Sequence, residues 1–194
     1  MNGNDSLTYV FKSPEEKLAV EITFHIGHLI MSWAICESLF FGMFICLVGG
    51  KDSQSAELIW LSNNSTRARI DQLTGLCVTR KLPQLLSDEI HDHVKTFKAI
   101  TSVRNRYCHA YYAVDPITYT LTHVEFAKVS HKSERLSFQT KSADKALLNE
   151  LENTIAIANK LNETLWPTLI KLKNELGAQN IILPEPFPEH LMPK

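Results

Sequence analysis

Leu29-Ile30-Met31-Ser32-Trp33-Ala34-Ile35-Cys36-Glu37-Ser38-Leu39-Phe40-Phe41-Gly42-Met43-Phe44-Ile45-Cys46-Leu47-Val48 is almost entirely apolar and about as long as a membrane span. A bilayer helix and a buried bundle helix are the two physical homes for such a run. Glu37 sits in its middle, Ser32 and Ser38 lie nearby, and no cluster of basic residues flanks either end, as an oriented span requires. A helix apolar on all sides in water is covered on all sides. The expectation is a helix packed on its own bundle along one face and on a second subunit along the other, with no membrane. Two readings stand for Glu37: a partner for an arginine of the stretch Arg104 to Tyr111, or a capped polar group in the core.

Working outward, Ser13-Pro14-Glu15-Glu16 opens this helix with an N-cap, a proline at the first position and acids in the first turn. Gly49-Gly50 stops it. Residues 1–12 read as a loose or strand-like arm, without the basic and apolar regions of a secretory signal. At 194 residues and 44% hydrophobic, the chain can bury one good core, so a single domain over 1–194 is expected. Lys and Arg number 20 against 21 Asp and Glu, which excludes a protein that coats nucleic acid by global positive charge. Cys36, Cys46, Cys77 and Cys108 form no CxxC pair or zinc spacing and read as free thiols of a reducing, cytoplasmic compartment.

A second helix is expected from Ser53 or Ser55 to Val78, kinked or broken by Ser62-Asn63-Asn64-Ser65-Thr66. A third runs from Leu82 to Tyr112, with Leu85, Leu86, Ile90, Val94, Phe97, Ile100, Val103 and Tyr107 at helical intervals. After Asp115-Pro116 the pattern alternates through Ile117, Tyr119, Leu121, Val124 and Phe126. Ser130 to Glu134 makes a polar turn and Arg135 to Thr140 returns, so 113–142 reads as a β-hairpin insert. Ser142-Ala143-Asp144 caps a fourth helix to about Leu176, which Pro167 should kink. Residues 178–194 form a proline-rich tail. His25 and His28, i and i+3, lack an acidic or thiol partner, and His91 and His93 face different ways, so neither metal nor cofactor is expected.

Near the end of the third helix stands Arg104-Asn105-Arg106-Tyr107-Cys108-His109-Ala110-Tyr111. It holds a permanent guanidinium, an amide and an imidazole, a set that can grip a phosphate, orient a hydroxyl and move a proton. Asn105 and His109, i and i+4, share a helix face, and Arg104 needs its long arm to join them. Lys95, Lys98, Arg106, Arg67 and Arg69 add local positive charge, though Lys95 and Lys98 read first as a solvated face. Tyr107 and Tyr111 can stack on an unpaired base, while Tyr107 also lies on the core side of the stripe.

At Arg104, Asn105 and His109 the chain resembles the HEPN family, whose signature is Arg, usually followed by Asn, Asp or His, and then a His after four to six residues. Tyr111 extends the likeness to the Arg-x4-His-x-Tyr form of HEPN toxins. The resemblance covers roughly 14–176 and implies an all-α bundle of four main helices, here with the hairpin between the third and fourth. It implies a homodimeric, metal-independent endoribonuclease that leaves 2′,3′-cyclic phosphate ends. Arg104, Asn105 and His109 would be catalytic, and Arg106 and Tyr111 would contact RNA. It further implies a toxin of a toxin-antitoxin or phage-defence system, with Tyr111 modified by a nucleotidyltransferase antitoxin. The alternative is a non-catalytic dimeric module that binds a nucleotide or a protein partner.

Overall fold

The computed structural model describes residues 11–49, 53–118, 120–130 and 135–178. Most of the arm, the tip of the expected hairpin turn and all but the first residue of the tail lie outside the described residues. The described chain is mostly helical with one small sheet, in the order α1 (Pro14–Val48), α2 (Ser53–Ser62), α3 (Thr66–Thr79), α4 (Gln84–Cys108), β1 (Tyr111–Val114), β2 (Leu121–Ser130), β3 (Arg135–Ser142) and α5 (Lys145–Glu175).

Local chemistry sets the ends of α1. Ser13 accepts a hydrogen bond from the Glu16 N–H, satisfying one orphan donor of the first turn. Gly49 turns the chain in the left-handed region at φ 72° and returns its N–H to the Ile45 and Cys46 carbonyls. Arg80, just past α3, donates from Nε to the Leu47 carbonyl at 2.6 Å and from Nη2 to the Val48 carbonyl at 2.7 Å. The last carbonyls of α1 thus find partners without water.

From Leu39 onward the apolar run is largely covered by the chain itself. Leu39, Phe40 and Met43 to Leu47 are buried, with α5 lying along α1 and α2, α3 and α4 packed around the remaining faces. A second subunit is therefore not required to explain this half of α1. The exposed apolar side chains lie nearer its start, at Val20, Phe24 and Met31. Polar ties fix the α1 and α5 register: Ser32 Oγ donates to Asn159 Oδ1 at 2.8 Å, and Asn162 Nδ2 donates to the Ser32 carbonyl at 3.1 Å. Glu37 accepts from Arg69 Nη1 and the Thr66 hydroxyl, each at 3.1 Å, and so pairs with an arginine of α3 rather than with Arg104 or Arg106, which are turned to Asn105 and Glu150. Arg69 Nε also bonds the Trp60 and Asn63 carbonyls, so one guanidinium ties α2, the following turn and α3 to α1.

The second helix breaks where the polar stretch stands, with Ser65 re-capping α3 through the Ala68 N–H. Five helices result where four main ones were expected. The third expected helix stops at Cys108, short of Tyr112, because Tyr111 and Tyr112 pair with Glu125 and Val124 of β2. Aromatic residues suit a strand as well as a helix, and the nonlocal partner takes them. The insert is consequently a three-stranded antiparallel meander, β1-β2-β3, rather than a two-stranded hairpin. Asp115 Oδ1 accepts from the Ile117 and Thr118 N–H groups, holding 115–118 in a turn instead of the start of a strand. Asp144 caps α5 through the Leu147 N–H, and the helix continues through Pro167 to Glu175.

Candidate functional site

The last turn of α4 carries the site. Asn105 is exposed on the helix, and His109 occupies the C-cap at φ −112° and ψ 15°, its backbone N–H still reaching the Asn105 carbonyl at 3.1 Å. The helical spacing thus survives as far as His109, keeping its side chain one turn from Asn105. The imidazole is exposed and makes no hydrogen bond among the described residues.

Arg104 is half-buried, and its guanidinium carbon lies 4.0 Å from the centre of the Trp33 ring. Trp33 is fixed in turn: its indole N–H donates to Thr101 Oγ1 at 2.9 Å, and its ring stacks on Phe97 at 5.8 Å with 14° between the planes. A cation over an indole face is attracted by the ring quadrupole, so α1 supplies a platform that holds the guanidinium in place. Arg104 Nη1 donates to Asn105 Oδ1 at 2.8 Å, which accounts for how its arm joins the Asn105 face. Its Nε is buried without a hydrogen-bond partner among the described residues.

Charge partners separate the arginines. Arg69 and Arg106 pair with Glu37 and Glu150, Arg67 stands 3.7 Å from Asp71, and Arg80 caps carbonyls. Arg104 has no carboxylate partner among the described residues; its contacts are an amide and an indole. Its positive charge is the one in the motif left for an incoming anion. Arg106 lies roughly 200° around the helix from Arg104. There it pairs with Glu150 of α5, which also accepts from Lys141 of β3, and its guanidinium lies against Phe126 and Tyr107. That partnership fastens the sheet to the bundle.

Tyr107 is buried, edge-on to Phe126 at 5.3 Å, so packing takes it. Its carbonyl accepts from the Tyr112 hydroxyl, whose pKa burial pushes up to about 12, and the sheet is thereby held against the end of α4. Tyr111 is 63% exposed on β1, edge-on to Phe138 of β3 at 6.1 Å, and it faces solvent two residues beyond His109.

Two cavities flank the motif. One of about 330 Å³ lies between α3 and α4 and is lined by Thr66, Arg67, Ile70, Phe97, Lys98, Thr101, Ser102 and Asn105. The other, about 1010 Å³ and mainly apolar, lies between the first half of α1 and the start of the sheet and takes in Val20, Phe24, Cys108, Tyr112 and Val114. The cradle of Trp33 and the cavity beside Asn105 join α1, α3 and α4 across long sequence separations, which residue spacing alone does not reveal. Among the described residues no three His, Cys, Asp or Glu side chains gather as a metal site. His25 approaches Glu152 at 3.8 Å, while His28 Nε2 is buried without a hydrogen-bond partner among the described residues and burial holds that ring below the usual histidine range. His93 pairs with Thr168, not with His91, which turns to the Ser87 carbonyl.

Comparison of the chain with family models, curated proteins and solved structures finds no match.

Proposed function

We propose that the chain is a HEPN-type endoribonuclease that cuts RNA with the substrate's own 2′-hydroxyl and acts as a homodimer. The observation that carries this reading is Arg104: a guanidinium held over the Trp33 ring, without a carboxylate partner among the described residues, and bonded to Asn105, which stands one turn from the exposed His109. A phosphate between these groups would receive charge-assisted hydrogen bonds where negative charge grows in the transition state. His109 of one chain takes the 2′-hydroxyl proton as the O2′–P bond forms. A second imidazole protonates the 5′-oxygen as the P–O5′ bond breaks, leaving a 2′,3′-cyclic phosphate and a 5′-hydroxyl. No metal or cofactor enters this chemistry.

One histidine per chain is few for both proton transfers, and two-fold pairing supplies the second. The apolar groove of about 1010 Å³ supports that assembly: it takes in Cys108, next to His109, and Val20 and Phe24 stand exposed along it. A second copy seated there brings its own last turn of α4 alongside the first. Burial of Leu39, Phe40 and Met43 to Leu47 by the chain's own helices supports a helix packed within the protein rather than in a membrane, and a cytoplasmic setting is part of this proposal. Tyr111, 63% exposed, is open to nucleotide transfer by an antitoxin, which would place bulk and negative charge beside the site. Arg106 contributes by fastening the sheet that carries Tyr111, since Glu150 already occupies it.

The same groove also suits a non-catalytic dimer that binds a nucleotide or protein partner. Incubation of end-labelled single-stranded RNA with excess chelator separates the two. Cleavage that persists in chelator and is lost in both Arg104→Ala and His109→Ala supports the enzyme. Intact RNA with a folded, dimeric wild type supports the module.

A further inference from the structure

The cavity between α3 and α4 is lined along α4 from Lys98 to Asn105. Lys98, Ser102, Asn105 and His109 stand at i, i+4, i+7 and i+11 and so form one stripe on that helix. Lys98 and Asn105 are seven helical steps apart, a rise of roughly 10 Å. The cavity has an apolar floor at Ile70 and Phe97 and a polar rim of Thr66, Ser102 and Asn105 with two cations, Arg67 and Lys98. Those two approach from different helices and share one counter-ion: Asp71 accepts from Lys98 Nζ at 2.8 Å and stands 3.7 Å from Arg67 Nε. Lys98 lowers the Asp71 pKa first through that hydrogen bond, so the carboxylate is charged at neutral pH. Arg67 is 88% exposed and Lys98 47% exposed, which leaves most of their donors free.

Ile70 and Phe97 are buried beneath the cavity, so a base entering between α3 and α4 meets an apolar interior while its phosphate stays at the cationic rim. Resting on the ribonuclease reading, we infer that this cavity holds a second nucleotide of the same strand, next to the scissile one, with its base unpaired between α3 and α4 and its phosphate on Arg67 and Lys98. Substrate is then single-stranded RNA laid along α4 from His109 toward Lys98. A duplex would keep the base in its stack and out of the cavity. Asp71 opposes that phosphate and keeps the subsite weak and adjustable.

Three variants and two substrates test this. Arg67→Ala and Lys98→Ala are each expected to raise KM on a ten-nucleotide single-stranded RNA about fivefold with kcat unchanged, and to lower the salt slope by about 1 each. Neither should alter cleavage of a dinucleotide, which cannot reach the cavity. Asp71→Asn is expected to lower KM on the longer RNA about threefold, since one repulsive charge leaves the rim. Loss of a merely structural ion pair would give the opposite sign. Equal effects on both substrates, weaker binding by Asp71→Asn, or no change on the longer RNA would overturn the subsite. If the wild type cuts nothing, binding of the same RNA decides: affinity that falls in Arg67→Ala and Lys98→Ala and rises in Asp71→Asn retains the subsite while the ribonuclease reading fails. Binding indifferent to all three overturns the subsite too.

Discussion

Replacing Trp33 separates support of the fold from support of the site. The side chain is 6% exposed, stacks on Phe97, donates to Thr101 and carries Arg104 on its face at 4.0 Å. Trp33→Phe keeps an aromatic face but loses the indole N–H and part of the ring. The hydrogen bond is worth about 1 kcal/mol and the lost buried surface about another 1 to 2. Thr101 still donates to the Phe97 carbonyl at 2.8 Å, so the hydroxyl proton is not stranded. Trp33→Leu removes the platform and leaves more space, a loss of about 3 to 4 kcal/mol by comparison with core aromatic truncations. For a chain of this size each kcal/mol lowers Tm by about 2–4 °C. Calorimetry should therefore place Trp33→Phe about 4–12 °C and Trp33→Leu about 6–16 °C below wild type. Cleavage assayed well below both transitions should part them further. The phenylalanine variant is expected to stay within about fivefold of wild-type kcat, and the leucine variant to fall about a hundredfold as Arg104 loses its aromatic support. A folded Trp33→Leu protein with wild-type kcat would refute the claim that the indole positions the guanidinium.

Other outcomes follow from single features. Burial holds the His93 pKa below the usual histidine range, with Lys171 adding to the effect and Glu89 and Asp92 opposing it. Its unfolded form binds the proton more readily, so stability present above about pH 6.5 is lost as pH falls through that value; His28, also lowered by burial, acts in the same direction. The melting temperature should drop between pH 7.5 and 5.5, and His93→Gln should flatten the drop; an unchanged slope would refute the assignment. Gly49→Ala forces a side chain into the left-handed region at φ 72°, with its Cβ 2.7 Å from Arg80 Nη2. A loss of about 1–2 kcal/mol in urea unfolding is expected, and an unchanged midpoint would show that this turn relaxes freely. Tyr111→Ala should raise KM for single-stranded RNA about tenfold if its exposed ring stacks on a base, and an unaltered KM would remove it from the substrate track.

Local signals made the helix ends readable. Ser13 with Pro14, the Gly49 stop, the polar break before Ser65 and the Asp144 cap each act within a few residues of where they stand, and the structure uses each of them. The end of α4 was harder to read, because no glycine or proline follows Cys108 before Asp115-Pro116 and Tyr111 suits either conformation. Its fate depends on β2, more than ten residues away. Residue types in the motif suggested the chemistry, but only the family resemblance, not the chemistry of the side chains, set Arg104 apart from Arg106. Trp33 and Glu150, far away in the chain, make that distinction by leaving one cation without a carboxylate and neutralising the other. The ion pair of Glu37 with Arg69 and the cavity beside Asn105 likewise arise only when α1, α3 and α4 meet.

The central claim is that the nucleophile comes from the RNA itself, and an oligonucleotide with a single 2′-deoxy sugar at the mapped cleavage position tests it most directly. The account predicts cleavage of the all-ribose strand in excess chelator and none at the deoxy linkage, with other linkages cut as before. Cleavage at the deoxy linkage, or an all-ribose strand left whole by a folded dimer, would contradict it.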